Sequence, residues 1–294
     1  MIIPWLLVFV NILISIPFLT LLERKVLRYI QSRKGPKKVS FMGLLQPISD
    51  GAKLVLKELG TPKMAKIVLF WLSPIISFFL MILAWAVFPS PFLFYSLNLG
   101  VVFFLCIARL QVYTLLGSGW GSKSKYALLG SIRGAAQTIS YEVSLIFIIL
   151  FPCSFEFRYN FISFLDKSFS YFFILFPIFL IWFTSCLAET NRAPFDFAEG
   201  ERELVSGFNV EFSAFEFACL FLSEYGNILL MRFFTAIFFF PTRYLRFIIF
   251  GSFFSFCFVW ARGCLPRFRY DFLMNMAWKI FLPSCLFIFF LILV

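Results

Sequence analysis

The sequence contains no histidine, and only 14% of its 294 residues are charged, where a soluble domain carries about 25%. Without imidazole there is no haem held by histidine, no zinc site of the usual kind and no histidine base. Seven cysteines (106, 153, 186, 219, 257, 264 and 285) never pair as CxxC. Iron–sulfur ligation and a disulfide framework are poor readings of them, and buried bystander thiols are the better one. No GxGxxG run is present either, so no dinucleotide fingerprint is carried. What fills the chain is bulk: 61% hydrophobic, 22% aromatic, 47 phenylalanines and a mean hydropathy of +0.92. That composition describes a polytopic membrane protein with no metal of its own.

A spanning helix needs about 20 mostly apolar residues. Met1 to Leu22 has no charge and ends at Glu23-Arg24-Lys25; lacking a basic leader and a small-residue cleavage site, it reads as a mature first helix rather than a signal peptide. Further apolar stretches run roughly over 67–90, 97–117, 134–153, 170–189, 211–231, 244–261 and 277–294. The expected fold is all-α: about eight transmembrane helices in one domain spanning 1–294, with both termini on the same side. The loops at about 23–66, 118–133, 190–210 and 262–276, with Lys279 at the start of the last helix, hold 20 of the 26 basic residues. Five, counting Arg232, are expected in loops on the other side, and Arg109 is left inside the third helix. The positive-inside rule places the basic loops on the cytoplasmic or matrix side. Much of the +11 net charge is therefore topological, and nucleic-acid binding is a poor reading of it.

The first connection carries eleven Lys and Arg between residues 24 and 66. Within it, Gly43 to Leu59 reads as an amphipathic surface helix. Leu44, Leu45, Ile48, Ala52, Val55 and Leu56 share one face, and Gln46, Ser49, Asp50, Lys53 and Lys57 the other. Pro47 falls in the first turn, where its missing N–H is tolerated. Such a helix either rests on anionic lipid or lines a cavity and docks a soluble partner.

Only 15 acids exist, yet eight fall between residues 189 and 224: Glu189, Asp196, Glu199, Glu201, Glu203, Glu211, Glu216 and Glu224. An even spread would place about two there. Solvated loop charge is a reasonable account of Glu199, Glu201 and Glu203. It fails for Glu189 at the end of an apolar helix, for Glu216 and Glu224 inside another, and for Glu142 two to three turns beyond Arg133. Ionisable groups at such depth are costly and mark ion or proton routes. Burial and a neighbouring carboxylate favour the protonated form of an acid, so acids joined by water can act as a relay. Static pairing with Arg133, Arg192, Arg202 or Lys279 is the competing reading. Tyr141 and Tyr225 stand beside two of the acids and could bridge gaps with their hydroxyls. Arg109 requires neutralisation by an intramembrane carboxylate or a lipid phosphate, with Glu216, the other unusual charge, as the candidate.

Several blocks together resemble the NADH dehydrogenase subunit 1 family of respiratory complex I. They are Glu23-Arg24-Lys25 through Gln31-Ser32-Arg33-Lys34-Gly35-Pro36, then Gly43-Leu44-Leu45-Gln46-Pro47 with Asp50, Lys53, Lys57 and Glu58. Next come Ser118-Gly119-Trp120 with Lys125-Tyr126-Ala127, and RGAAQTISYE from Arg133 to Glu142. AETNRAPFDFAEGERELVSGFNVE runs from Ala188 to Glu211, followed by Ser223-Glu224-Tyr225 and by PRFRYDFLM from Pro266 to Met274 with Trp278-Lys279. The resemblance covers nearly the whole chain. Arg109, Gln111 and Glu216 depart from the family pattern, and no family role is carried to Glu216. The phenylalanine excess fits an AT-rich organellar genome.

The resemblance implies a membrane-arm subunit of the proton-pumping NADH:ubiquinone reductase, inactive as an isolated chain and multi-pass in the mitochondrial inner membrane. Ubiquinone is the substrate it implies, with no covalently bound group here. NADH, flavin and iron–sulfur clusters are expected only in partner subunits. The implied partners are the peripheral-arm quinone-site subunits, the neighbouring membrane-arm subunits and phospholipids. Arg24, Gln31, Arg33 and Lys53 match polar family positions at the mouth or wall of the quinone channel. Glu142, Glu189, Asp196, Glu199, Glu201, Glu203, Glu211 and Glu224, with Tyr141 and Tyr225, would form the proton path. Arg133, Arg192, Arg202, Arg267, Arg269 and Asp271 would pair within and around the loops. Two other classes stand beside this: the equivalent subunit of an ion-pumping hydrogenase or ferredoxin-linked complex, and a secondary transporter. The latter would bring an inverted repeat with broken helices, and no clear repeat is visible.

Overall fold

In lipid a helix satisfies its own backbone, and the computed structural model has helices as its only regular structure among the residues it describes, which are 2–89, 97–156, 158–165, 172, 175–198, 200, 207–240 and 244–293. The long elements are α1 (Ile2–Ile30), the surface helix α2 (Gln46–Leu56), α3 (Ile67–Trp85), α4 (Gly100–Ser122) and α5 (Lys125–Glu156). A short α6 (Phe161–Leu165) precedes α7 (Phe176–Glu189), α8 (Ala214–Phe239) and α9 (Tyr244–Cys264). The last span begins as α10 (Tyr270–Asn275) and ends as α11 (Leu282–Leu293). Seven of these helices are long and apolar enough to cross a membrane, and α7 is a shorter apolar helix. The expected eight are reached only by counting α7, whose 14 residues rise about 21 Å.

Between α10 and α11 the helix widens into a π-turn over Met276–Phe281. Pro283 lacks an N–H and its ring crowds the carbonyl four residues back, and a π-turn just before it absorbs that misfit. Inside the spans, hydroxyls return to the backbone: Ser118, Ser131, Ser144 and Ser185 each donate to the carbonyl three residues earlier. Polar side chains are thereby satisfied without a partner in lipid.

Helix α3 packs on α4 and α8, α4 on α5, α5 on α7, and α8 on α9. The half of the bundle away from the basic loops is filled by rings. Phe161 stacks on Phe234 at 4.6 Å, Phe238 meets Trp182 edge-on at 5.5 Å, and Phe179 meets Phe239 at 5.2 Å. Phe161, Trp182, Phe234, Phe238 and Phe239 are all at most 1% exposed. Arg232, expected in a loop on that side, lies inside α8 and is 1% exposed. A twenty-residue apolar window ending near 231 cuts α8 short, because the charge that ends the hydropathy run sits within the helix.

The amphipathic helix is shorter than the expected 43–59 and follows a 3₁₀ turn over Phe41–Gly43. Helix α2 contacts α1 and α8, while Ile48, Val55 and Leu56 are 60%, 68% and 84% exposed. Its apolar face is therefore offered outward, while Pro47 is buried and Gln46, Ser49 and Asp50 are half-buried against the bundle. Two ties hold the first connection to the bundle. The Lys66 N–H donates to the Gly121 carbonyl at 2.8 Å, and the Gly60 N–H donates to Ser213 Oγ at 2.8 Å.

Gly130 on α5 sets the approach of the acidic loop. A Cβ there would stand 2.9 Å from the Ala198 carbonyl oxygen and 3.0 Å from Gly207 Cα. Both are backbone atoms and cannot rotate aside. Gly130→Ala is expected to destabilise the fold by about 1–3 kcal/mol through overpacking, read as a lower melting midpoint of the assembled complex. An unchanged midpoint would mean that the loop does not seat against α5.

Candidate functional site

Five helices, α3, α4, α5, α7 and α8, enclose a cavity of about 100 Å³ in the half of the bundle nearest the acidic loop. Its polar lining includes Ser77, Thr114, Thr138, Asn191 and Ser223, together with Glu189 and Glu224. A space of this size with this lining holds several water molecules. Glu189 reaches it from the C-terminal end of α7, with Oε2 buried and without a hydrogen-bond partner. Glu224 enters from α8 opposite. Between them Gln111 and Asn227 exchange two amide hydrogen bonds, at 3.1 and 3.0 Å, bracing α4 to α8 along the cavity wall.

Glu142, from α5, is 6% exposed and close enough to Glu189 for their charges to repel. On its other side Arg109 Nε lies 3.3 Å from Glu142 Oε1. Arg109 is thus neutralised by an intramembrane carboxylate as expected, but the carboxylate is Glu142. Glu216, the candidate from sequence, sits in the first turn of α8, 4% exposed, with neither oxygen hydrogen-bonded. Composition marked Arg109 and Glu216 as the two odd charges; the packing of α4 on α5 decides the pair.

The start of the acidic loop is clamped by Gln137, which is fully buried. Its Nε2 donates to the carbonyls of Ala188 and Phe195, each at 2.8 Å. Phenylalanines then pin the loop: Phe195 on Phe268 at 5.6 Å, Phe197 on Tyr270 at 5.7 Å, and Phe212 stacked on Phe70 at 4.2 Å. Asp196 and Glu211 are half-buried in this region. Glu199, Glu201, Arg202 and Glu203 lie outside the described residues.

A second polar cluster joins α1, α8 and α9. The Tyr225 hydroxyl donates to Glu23 Oε2 at 2.7 Å, and Arg262 donates to Glu23 Oε1. Arg192 stands over the Tyr225 ring at 4.2 Å and 3.9 Å from Glu224. Tyr225 therefore serves Glu23 rather than its sequence neighbour Glu224. The Tyr141 hydroxyl donates to the Leu273 carbonyl at 3.1 Å and ties α5 to α10.

On the basic connection, Arg24 donates to Asp50 Oδ2 at 2.6 Å and Gln46 donates to Asp50 Oδ1 at 2.9 Å. Partial burial pushes the Asp50 carboxyl up, but the hydrogen bonds from Arg24 and Gln46 and the charges of Arg24 and Lys53 outweigh it and hold it below the usual carboxylate range. Arg24 and Lys53 thus gather around one carboxylate, while Gln31 and Arg33 stand exposed at the end of α1. Arg267 lies 5.6 Å from the Phe197 ring. Arg269 and Asp271 pair at 2.9 Å in the open, with side chains 86% and 66% exposed, where such a pair contributes little. Arg133 stands on α5, in the block that contacts the loop.

Residues 3–293 match the family model for NADH dehydrogenase. Chains named NADH-ubiquinone oxidoreductase chain 1 are similar along nearly their whole length. The one from Aedes aegypti is 53% identical over 288 residues, covering 96% of this chain and 91% of the relative. That from Locusta migratoria is 49% identical over 293 residues, covering 98% and 93%, and that from Danio rerio 46% over 288, covering 94% and 89%. The chain belongs to the NADH dehydrogenase family.

The geometry gives several of the acids partners other than those the sequence suggests. Glu189 and Glu224 share a cavity, and Glu142 joins them through Glu189. Sequence reasoning missed Glu23 as a buried acid, Gln137 as the loop clamp, and Gln111 with Asn227 as a brace. The first stands in a charged triplet that reads as a helix end, yet α1 continues to Ile30. Gln111 stands out only as a departure from the family pattern, and no local signal marks Gln137 or Asn227.

Proposed function

We propose that this chain is a membrane-arm subunit of the proton-translocating NADH:ubiquinone oxidoreductase named in its relatives, forming part of the ubiquinone-access channel and the acidic path that couples quinone reduction to proton translocation. The observation that carries this is the shared cavity of Glu189 and Glu224, with Glu142 beside Glu189 and Arg109 at its outer end. A proton taken up at the cavity can pass between carboxylates through a few waters, and the titration belongs to the group rather than to one residue.

The path has a direction. Beyond the cavity the bundle is closed by buried rings of Phe161, Trp182, Phe234 and Phe238. A dry aromatic plug carries no proton, so transfer runs sideways toward Glu142 and Arg109 and on to neighbouring membrane subunits rather than straight across. Raising the proton affinity of one carboxylate by one pKa unit corresponds to about 1.4 kcal/mol. Charge appearing on a quinone near the acidic loop can therefore move protons along the group.

Quinone reaches the site past α1, α2 and the start of α8, where the polar group of Arg24, Asp50 and Lys53 lies beside the outward apolar face of α2. The basic connection lies on the matrix side of the mitochondrial inner membrane and docks the peripheral-arm quinone-site subunits. NADH, flavin and iron–sulfur clusters belong to those partners. Phospholipid covers Ile48, Val55 and Leu56. The relatives' names favour this over a hydrogenase-type complex.

Photo-crosslinking of the whole complex with an azido-ubiquinone is expected to label residues 23–60 or α1. Labelling confined to the opposite side of the membrane would overturn the channel assignment.

A further inference from the structure

Three arginines, Arg192, Arg232 and Arg262, line one small cavity of about 20 Å³ with Glu23 and Tyr225. Apolar side chains of Leu19, Leu187, Ile228, Phe258 and Val259 form the rest of its wall. Two of the three positive charges have a carboxylate: Arg262 has Glu23, and Arg192 has Glu224 at 3.9 Å. Arg232 is different. Its Nε donates to the Ile228 carbonyl at 3.1 Å, on its own helix. Its Nη1 and Nη2 are inaccessible and have no hydrogen-bond partner, in a residue 1% exposed.

Glu23 does not fill this gap. Its Oε1 accepts from Arg262 and its Oε2 from Tyr225. A guanidinium is charged at every accessible pH and brings five N–H donors. Water could occupy the free donors, but among the described residues it would leave the cluster with three positive charges against two negative ones. Burying an unbalanced charge away from water is among the most costly arrangements a protein can hold. The missing part is one negative charge, in a space that fits one small particle and excludes a phosphate or a quinone ring.

We propose that this cavity is a binding site for a single monovalent inorganic anion of halide size, held by Nη1 and Nη2 of Arg232 with Arg192 and Arg262 around it. The anion balances Arg232 and so keeps the Glu23–Tyr225–Arg262 group in register between α1, α8 and α9. It is separate from the carboxylate path and does not depend on that path carrying protons.

The test uses the purified whole complex. Exchanged into bromide and passed into gluconate buffer, the parent complex is expected to retain one more bromide per complex than Arg232→Gln, counted by mass spectrometry of the eluted protein. Should Arg232→Gln fail to assemble, the parent decides alone. Its melting midpoint is expected to fall when chloride is replaced by gluconate, and to recover with bromide but not with sulfate. Equal bromide in parent and variant would overturn the proposal. So would a parent whose midpoint ignores halide, if no assembled variant exists for the count. In either case the Arg232 donors belong to water or to a carboxylate from a partner.

Discussion

Glu189→Gln is expected to leave the complex assembled and its NADH–ferricyanide reaction normal, while quinone reductase turnover and coupled proton pumping fall together by roughly 10²-fold, the scale at which a lost acid–base group is felt. Gln keeps the shape of the side chain and its capacity to hydrogen-bond, but it carries no ionising proton. Glu189 suits this test because its Oε2 has no hydrogen-bond partner and its neighbours in the cavity are polar. The replacement removes no ion pair. Glu142→Gln should lower turnover in the same direction, but it also strips Arg109 of its carboxylate. Some loss of assembled complex is expected there, and Arg109→Gln in addition should restore assembly without restoring pumping. Normal pumping in an assembled Glu189→Gln complex would make the acid structural.

The second large effect concerns stability. Glu23→Ala is expected to destabilise the complex by about 3–5 kcal/mol, the range seen when one partner of a buried ion pair is removed. Glu23 is 8% exposed, and its carboxylate serves Arg262 and Tyr225 at once while standing near Arg192 and Arg232. Without it the donors of Tyr225, Arg192, Arg232 and Arg262 face one another with one carboxylate fewer. Tyr225→Phe deletes a single hydrogen bond and should cost about 1 kcal/mol. The contrast separates charge balance from hydrogen bonding, and native-gel yield with a melting curve reads both. Equal yields for the two variants would mean that Glu23 is no keystone of the α1–α8–α9 contact.

Most of the architecture is legible along the chain, because hydropathy runs and basic loops report membrane crossings directly. The acids are legible for the same reason: Glu142, Glu189 and Glu224 stand out where lipid tolerates no charge. Partners are another matter. Tyr225 and Arg262 reach Glu23 across 202 and 239 residues of sequence, and no local pattern encodes such a meeting. Rarity suggested Glu216 for Arg109, but helix packing brings Glu142. Arg232 looked like a loop residue because hydropathy falls at a charge, whether that charge ends a helix or lies buried within one. The outward apolar face of α2 is likewise decided by what its polar face can reach on α1, namely Arg24 for Asp50.

The central claim is that the carboxylates around the cavity exchange protons when quinone is reduced. Infrared difference spectroscopy of the intact complex, recorded between oxidised and reduced quinone, reads this directly through the stretching band of protonated carboxyl groups. The account predicts a change in that band in the parent complex that is lost in Glu189→Gln while the quinone bands remain. An identical carboxyl difference signal in parent and variant would contradict it.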